Sequence, residues 1–383
     1  MQVFLVGGAV RDELLGLEVV DRDWVVVGSS PEELLSLGYH PVGKDFPVFL
    51  HPVSREEYAL ARTERKTGSG YHGFSFYASP DVTLEQDLSR RDLTINAMAK
   101  SKEGELIDPF HGAADLKAKV FRHVSAAFQE DPVRVLRLAR FAARWPDFKV
   151  ASETLSLAQA MVQHKEIEAL VAERVWTEFA KGLMYQQPSR LFEVLMDCNA
   201  FGVLMPDLLE LEANPKAKQD FFESLNVAAQ RSCSLEIRFA LCVYPYTPKH
   251  LSTTQAQGLC ESLKVPASCK ELALLVLQLA QTLQKTDTLN AQNTLSLLEA
   301  LDGFRRPERL QEGFEACAVA AQNTQDDTSS EHLLILQKAL EHALALNPQE
   351  LSASALSRGL KGTEIGQFIH HERLRAVSKV LEP

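Results

Sequence analysis

Two adjacent glycines, Gly7-Gly8, followed 13 residues later by Asp21-Arg22-Asp23, constrain this chain more than any other feature. The run reads FLVGGAVRDELLGLEVVDRDWVVVG from Phe4 to Gly28. Carboxylates at i and i+2 of a strand share one face, and paired carboxylates on one face suit the divalent ions of phosphoryl or nucleotidyl transfer. Glycines let backbone N–H groups approach a polyphosphate closely. Arg11 then faces the same phosphates at the start of a helix, whose N-terminus favours anions. The run Trp24-Val25-Val26-Val27 reads as a buried strand, and charges that enter a buried sheet need a partner or a metal. Together these residues describe a pocket for Mg²⁺ and a nucleoside triphosphate.

A chain of 383 residues is long enough for about two to four domains. Its 45% hydrophobic and 24% charged content is ordinary for a soluble globular protein. No leader pattern follows Met1, and the apolar stretch around Leu272 to Ala280 is too short to span a bilayer. The six cysteines, 198, 233, 242, 260, 269 and 317, form no Cys-x-x-Cys pair and read as reduced core residues. A cytoplasmic protein without membrane contact is expected. Nothing in the sequence favours monomer over dimer. Residues 1–145 carry a net charge of −3 and the remainder −8, so any nucleic-acid contact must come from local basic patches such as Arg62 to Lys66 or Arg134 to Arg144.

The first 125 residues mix short strands and helices. Strands are expected at Val3–Val6, Asp21–Val27, Phe46–Leu50 and Glu57–Arg62, with helices at Ala9–Leu15 and Pro31–Leu37, the latter capped by Ser29 or Ser30. Thr63 to Tyr77 (TERKTGSGYHGFSFY) reads as a long mobile loop, and Ile107 to Gly112 (IDPFHG) as a turn. From Asp131 onward the periodicity is almost wholly helical. The fold class is therefore an α/β head on an all-helical remainder.

Two further clusters carry chemistry. In Arg90-Arg91-Asp92 with Asn96 (RRDLTIN), Arg91 can neutralise phosphate, while Asp92 and Asn96 can hydrogen-bond a ribose hydroxyl. The structural alternative is an exposed helix start capped by Asp92. In Glu130-Asp131-Pro132-Val133-Arg134, Pro132 suits a first helical turn, and Arg134, Arg137, Arg140 and Arg144 form a broad basic stripe. The usual reading of a charge run is a solvated face. Here no acid lies between Asp131 and Asp147, so the arginines are expected to repel one another unless an anion sits among them. Asp131 and Arg134 also suit a base reader. Cytosine and adenine each present an amino donor beside a ring-nitrogen acceptor, which a carboxylate and an arginine match; uracil and guanine present the reverse.

The Gly-Gly…Asp-x-Asp run, Arg-Arg-Asp-x-x-x-Asn and Glu-Asp-x-x-Arg resemble the class II tRNA nucleotidyltransferases, the CCA-adding enzymes, most closely the bacterial type. The resemblance is nearly gapless over about residues 1–205; EIRFALC (Glu236 to Cys242) and LDGFRRPERLQEGFEAC (Leu301 to Cys317) are weaker matches to helical body segments. It implies an α+β architecture: a nucleotidyltransferase-fold mixed-sheet head over 1–125, a helical neck over 126–210 with the nucleotide- and base-reading helix, and a helical body and tail over 211–383 that binds tRNA. It implies Mg²⁺-dependent, template-independent addition of C, C and A to the tRNA 3′ end from CTP and ATP, with diphosphate released. By similarity Asp21 and Asp23 hold the metals. Gly7, Gly8, Arg11, Arg91, Asn96, Arg137 and Arg140 form the nucleotide site, Asp92 reads the ribose, and Asp131 with Arg134 reads the base. The segment Arg65 to Gly73 resembles the flexible element needed for A addition, and Glu57 is a candidate third carboxylate. The alternatives are an A-only enzyme working with a CC-adding partner, or a poly(A) polymerase, which typically carries basic extensions not seen in this sequence. Longer relatives bear a metal-dependent hydrolase domain with a His-Asp pair. No His-Asp dipeptide occurs here, so no phosphatase or phosphodiesterase activity is expected.

Overall fold

The computed structural model of the chain describes residues 1–42, 48–66, 74–247, 251–285, 289–324 and 327–381, with 64–66 and 74–76 as backbone. Two compact units result: Met1–Phe179 with Arg190–Leu204, and Ala180–Ser189 with Met205–Pro383.

In the first unit β1 (Gln2–Val6) turns at Gly7 into α1 (Gly8–Leu14). Then follow β2 (Asp23–Val27), α2 (Pro31–Ser36), β3 (His40–Val42), β4 (Val48–Leu50) and β5 (Glu57–Leu60). The hairpin β6 (Arg62–Lys66) and β7 (Phe74–Ala78) precedes α3 (Leu84–Ser89), β8 (Ala99–Lys100) and β9 (Leu106–Ile107). Seven strands form one mixed sheet in the order β3-β4-β5-β2-β1-β8-β9. Strands β2 and β5 are parallel, and their neighbours pair antiparallel. Val25 packs with Val6, Leu88 and Ala97 on one face, and Val26 with Val3, Leu34 and Phe49 on the other. A strand covered on both faces is why the sequence shows a continuous apolar run there rather than alternation.

The remainder of the unit holds α4 (Gly112–Ala118), α5 (Val133–Arg144), α6 (Ser152–Gln163) and the start of α7 (Ala172–Leu183). The IDPFHG turn is present. Asp108 accepts from the N–H groups of Gly112 (2.7 Å) and Ala113 (2.9 Å), which caps α4. A Cβ at Gly112 would lie 2.2 Å from the Thr94 carbonyl oxygen, so this glycine lets α4 pack on the segment carrying Asp92 and Asn96. Ser30, one of the two expected caps, accepts from Glu33 N–H at 3.3 Å.

Four local expectations change. Asp21 lies outside the strand. Asp23 pairs with Val6, the last residue of β1, and the chain leaves the sheet at Gly7, so Asp21 has no partner. Strand β3 has no counterpart among the expected strands; it carries Pro41 and lies at the edge of the sheet, where proline is tolerated. The expected loop Thr63–Tyr77 has paired flanks, with Thr63 opposite Tyr77 and Lys66 opposite Phe74; its Gly- and Ser-rich centre, 67–73, lies outside the described residues, as do residues 46 and 47 of the third expected strand. Finally, β10 (Val120–Phe121) pairs in parallel with β11 (Lys149–Val150), and β11 lies inside the stretch read as helical. Strands of two residues are too short to show a period of two.

The second unit is helical among its described residues. Its longer helices are Pro215–Gln230, Leu235–Cys242, Thr253–Ser262, Ala267–Lys285, Ala291–Ala300, Pro307–Thr324, Asp327–Leu344, Pro348–Ser357 and Thr363–Leu381. Proline opens three of them, where a missing N–H costs nothing. Asn214, Ser234, Ser252, Asn290 and Asn347 cap N-termini with their side chains. Within EIRFALC, buried Arg238 donates to the carbonyls of Leu183 (2.7 Å), Cys233 (3.0 Å) and Tyr185 (3.1 Å), which ties the helix to the preceding chain. All six cysteines are free and buried, as expected of core residues. Among the described residues no helix is long and apolar enough to cross a membrane.

Candidate active site

The site starts where β1 ends. Gly7 is buried with φ +69°, a conformation side chains rarely adopt, and a Cβ there would lie 2.7 Å from Arg91 Nη1. The glycine thus admits both the sharp strand-to-helix turn and the Arg91 guanidinium. Arg91 is held from behind by Asp87 (3.2 Å), which also receives Arg90 (2.8 Å) and the backbone N–H of Arg62 (3.3 Å). Asp87 is fully buried. Burial opposes its charge, but Arg90, Arg91 and these hydrogen bonds hold its carboxyl below the ordinary value.

The register Val6↔Asp23↔Glu57 sets two carboxylates side by side on neighbouring strands, next to the Gly7 turn. Asp21, Asp23 and Glu57 are all exposed to solvent at this edge. Asp23 keeps one side in water, yet the protein around it removes enough water to raise its carboxyl; Arg91 opposes this, and Asp21 adds to it. Like charge beside a partly desolvated carboxylate is what a hard divalent cation relieves. Asp21 and Asp23 therefore fit a divalent metal. Among the described residues no cluster of three His, Cys, Asp or Glu side chains is preassembled for one.

Behind this edge lies a buried charge network. Arg11 on α1 is 4% exposed, and its Nη1 donates to Asn96 Oδ1. Its Nε donates to Asp12 (2.8 Å), and its guanidinium lies 4.5 Å from the Trp145 ring. Burial pushes the Arg11 pKa down, and Asp12 opposes it. Asp92 is buried, so the exposed-cap alternative does not hold. It accepts from Leu93 N–H (2.8 Å), Asn96 Nδ2 (2.9 Å) and Arg137 Nε (2.8 Å).

The arginine stripe of α5 is compensated, against the sequence expectation. Arg137 pairs with Asp92, Arg140 Nε with Glu178 of α7, and Arg144 with Asp12 at 3.1 Å. Arg134 is 8% exposed and donates to the carbonyls of Ala127 (2.7 Å) and Arg90 (2.6 Å). The acids arrive from other elements, so no local pattern around 131–147 could show them. Asp131 caps the start of α5, accepting from Val133 N–H at 3.2 Å, and its other oxygen receives Arg174 Nη2 at 2.7 Å. Gly7, Gly8, Arg11, Arg91, Asp92, Asn96, Arg137 and Arg140 thus join one connected region with Asp23. Arg134 attaches to it through the Arg90 backbone, and Asp131 is held by Arg174 of α7, the helix that also carries Glu178. The sequence reading missed Asp12, Asp87, Arg174 and Glu178, which touch the expected residues from behind.

Comparison with known proteins identifies the family. Residues 3–122 match the family described as Poly A polymerase head domain, and 147–211 match that described as Probable RNA and SrmB-binding site of polymerase A. A Multifunctional CCA protein of Dechloromonas aromatica is 45% identical over 412 residues, covering 100% of this chain and 98% of that one. The chain belongs to the family of bacterial CCA-adding tRNA nucleotidyltransferases. A second family member, the Multifunctional CCA protein of Methylobacillus flagellatus, is 52% identical over 344 residues, 84% of each chain. Among solved structures, an apo CCA-adding enzyme superposes with TM-score 0.71 at 22% identity over 98% of this chain and 88% of that one. The Thermotoga maritima CCA-adding enzyme complexed with tRNA gives 0.68 at 20% identity over 99% and 90%. At those identities the likeness concerns the fold: a mixed-sheet head followed by helices, as the family resemblance implied.

Proposed function

We propose that the protein completes the 3′ end of tRNA by adding C, C and A from CTP and ATP, without a nucleic-acid template. The observation that carries the reading is the Arg91 guanidinium packed against Gly7, beside Asp23 and Asp21. A cationic cradle for phosphates there adjoins a carboxylate pair for a metal. The partners are tRNA, CTP and ATP, the molecules with which solved CCA-adding enzymes form complexes. The poly(A) polymerase alternative shares the head family, but the relatives matched over nearly the whole chain are CCA proteins.

In this reading the tRNA 3′-hydroxyl oxygen bonds to the α-phosphorus as the bond to the β-phosphate oxygen breaks. The hydroxyl proton passes to water, and diphosphate leaves. Asp21 and Asp23 would hold Mg²⁺, with Glu57 as a third oxygen donor. When bound, the ion supplies charge neutralisation at the phosphates and a lowered hydroxyl pKa. Gly7 and Gly8 admit the triphosphate close to the backbone. Arg11, Arg91, Arg137 and Arg140 offset its charge, with Arg137 reaching furthest into solvent. Asp92 with Asn96 orients the ribose. Asp131 accepts from the amino group of C or A, and Arg134 donates to the ring nitrogen. We assign residues 1–125 as catalytic head, 126–210 as neck and 211–383 as tRNA-binding body and tail, in a cytoplasmic enzyme.

The experiment that tests the metal assignment is replacement of either carboxylate. Asp21→Ala and Asp23→Ala each remove a ligand that acts in the transition state. That costs several kcal/mol, or about a thousandfold in turnover. Both C and A addition should be lost while tRNA binding persists. Near-normal turnover of either variant at saturating Mg²⁺ removes the assignment.

A further inference from the structure

Helix α7 presents Arg174 and Glu178 four residues apart, hence on one face. That face meets the functional row of α5. Glu178 receives Arg140 Nε and lies 3.9 Å from Arg137 Nη1, while Arg174 Nη2 donates to Asp131 Oδ2 at 2.7 Å. The two proposed base readers are fixed by different means. Arg134 is anchored by backbone carbonyls of Ala127 and Arg90, which no substitution removes. One oxygen of Asp131 is anchored by the Val133 N–H; the other depends on the Arg174 side chain.

We propose that Arg174 is a positioning residue for base selection: by holding Asp131 Oδ2 it fixes the carboxylate plane that accepts from the amino group of C or A. The inference rests on the reading of Asp131 as that acceptor. Reading a base edge by hydrogen-bond polarity is angular, and it fails when the acceptor plane swings by more than about 10–20°. With Arg174 removed, Asp131 is held by a single bond from its own helix start and rotates about χ2. A rotated carboxylate no longer demands an amino donor in one place, so uracil and guanine are rejected less. A purely structural role is a poor account of the pair. Its side chains are 30% and 23% exposed, and ion pairs so open to water add little to stability.

The test is single-nucleotide incorporation from CTP, ATP, UTP and GTP onto tRNA ending before the first terminal C and before the terminal A, beside thermal melts. The variants are Arg174→Ala, Arg174→Gln, Arg174→Lys, Asp131→Ala, Glu178→Gln and the Asp131→Ala/Arg174→Ala double variant. In Arg174→Ala and Arg174→Gln, incorporation of U and G should rise relative to C and A by about tenfold, the scale of one lost base contact. Arg174→Lys should restore much of the discrimination, because the contact seen is a single hydrogen bond. The double variant should match Asp131→Ala, since Arg174 acts through Asp131. Glu178→Gln should raise KM for CTP and ATP alike with the ratios unchanged. If Asp131→Ala relaxes discrimination and the Arg174 variants do not, the inference is wrong and the base reading stands. It is equally wrong if Glu178→Gln relaxes discrimination as much as Arg174→Ala, which would mean general loosening of α7. If Asp131→Ala itself leaves the ratios unchanged, the base reading fails and takes the Arg174 role with it.

Discussion

Asp92 accepts a 2.8 Å hydrogen bond from Arg137, joining the Arg-Arg-Asp segment of the head to helix α5 across 45 positions of sequence. Burial penalises the Asp92 charge, but Arg137, Asn96 and the Leu93 N–H outweigh it and hold the carboxyl well below its usual 3.8. A depressed carboxyl stabilises the fold fully above its unfolded pKa and loses that contribution as pH falls through the folded value.

Asp92→Asn should therefore cost about 2 kcal/mol at pH 7, less than a fully buried pair because Arg137 stays 36% exposed. The gap from the wild type should shrink progressively below about pH 4. Urea unfolding at a series of pH values measures it. A gap that stays constant down to pH 2 would mean the ion pair is not its source.

Gly7→Ala should weaken both nucleotides together. The φ of +69° makes any side chain strained, at about 1–3 kcal/mol, and the new Cβ would displace the Arg91 guanidinium. KM should rise for CTP and ATP alike, with the melting temperature lowered. A variant that melts earlier yet keeps both KM values would detach Arg91 from the nucleotide.

The protein should not hydrolyse a 2′,3′-cyclic phosphate, with or without Ni²⁺, although relatives carry the name Multifunctional CCA protein. The sequence has no His-Asp dipeptide, and no three metal-ligand side chains cluster among the described residues. Metal-stimulated hydrolysis by contaminant-free protein would overturn this.

The sequence revealed those parts of the site whose residues lie close in the chain. Gly7-Gly8 and Asp23 belong to one β1–α1–β2 unit, and Asp92 and Asn96 lie four residues apart around one short turn, so spacing alone groups them. What sequence could not show is the layer behind. Asp12 meets Arg144 across 132 positions, Glu178 meets Arg140 across 38 and Arg174 meets Asp131 across 43. Such pairs follow from packing, which local periodicity does not encode. That is why the α5 arginines read as uncompensated. The same holds for Asp21, whose place outside β2 depends on where β1 leaves the sheet.

The most direct measurement is sequencing of the products formed from tRNA ending before its first terminal C, with CTP and ATP and no other enzyme present. The account predicts tRNA ending in C, C, A and then stopping. Addition of A alone to tRNA already ending in CC, with no C added to the shorter substrate, or a run of many A residues, would contradict it.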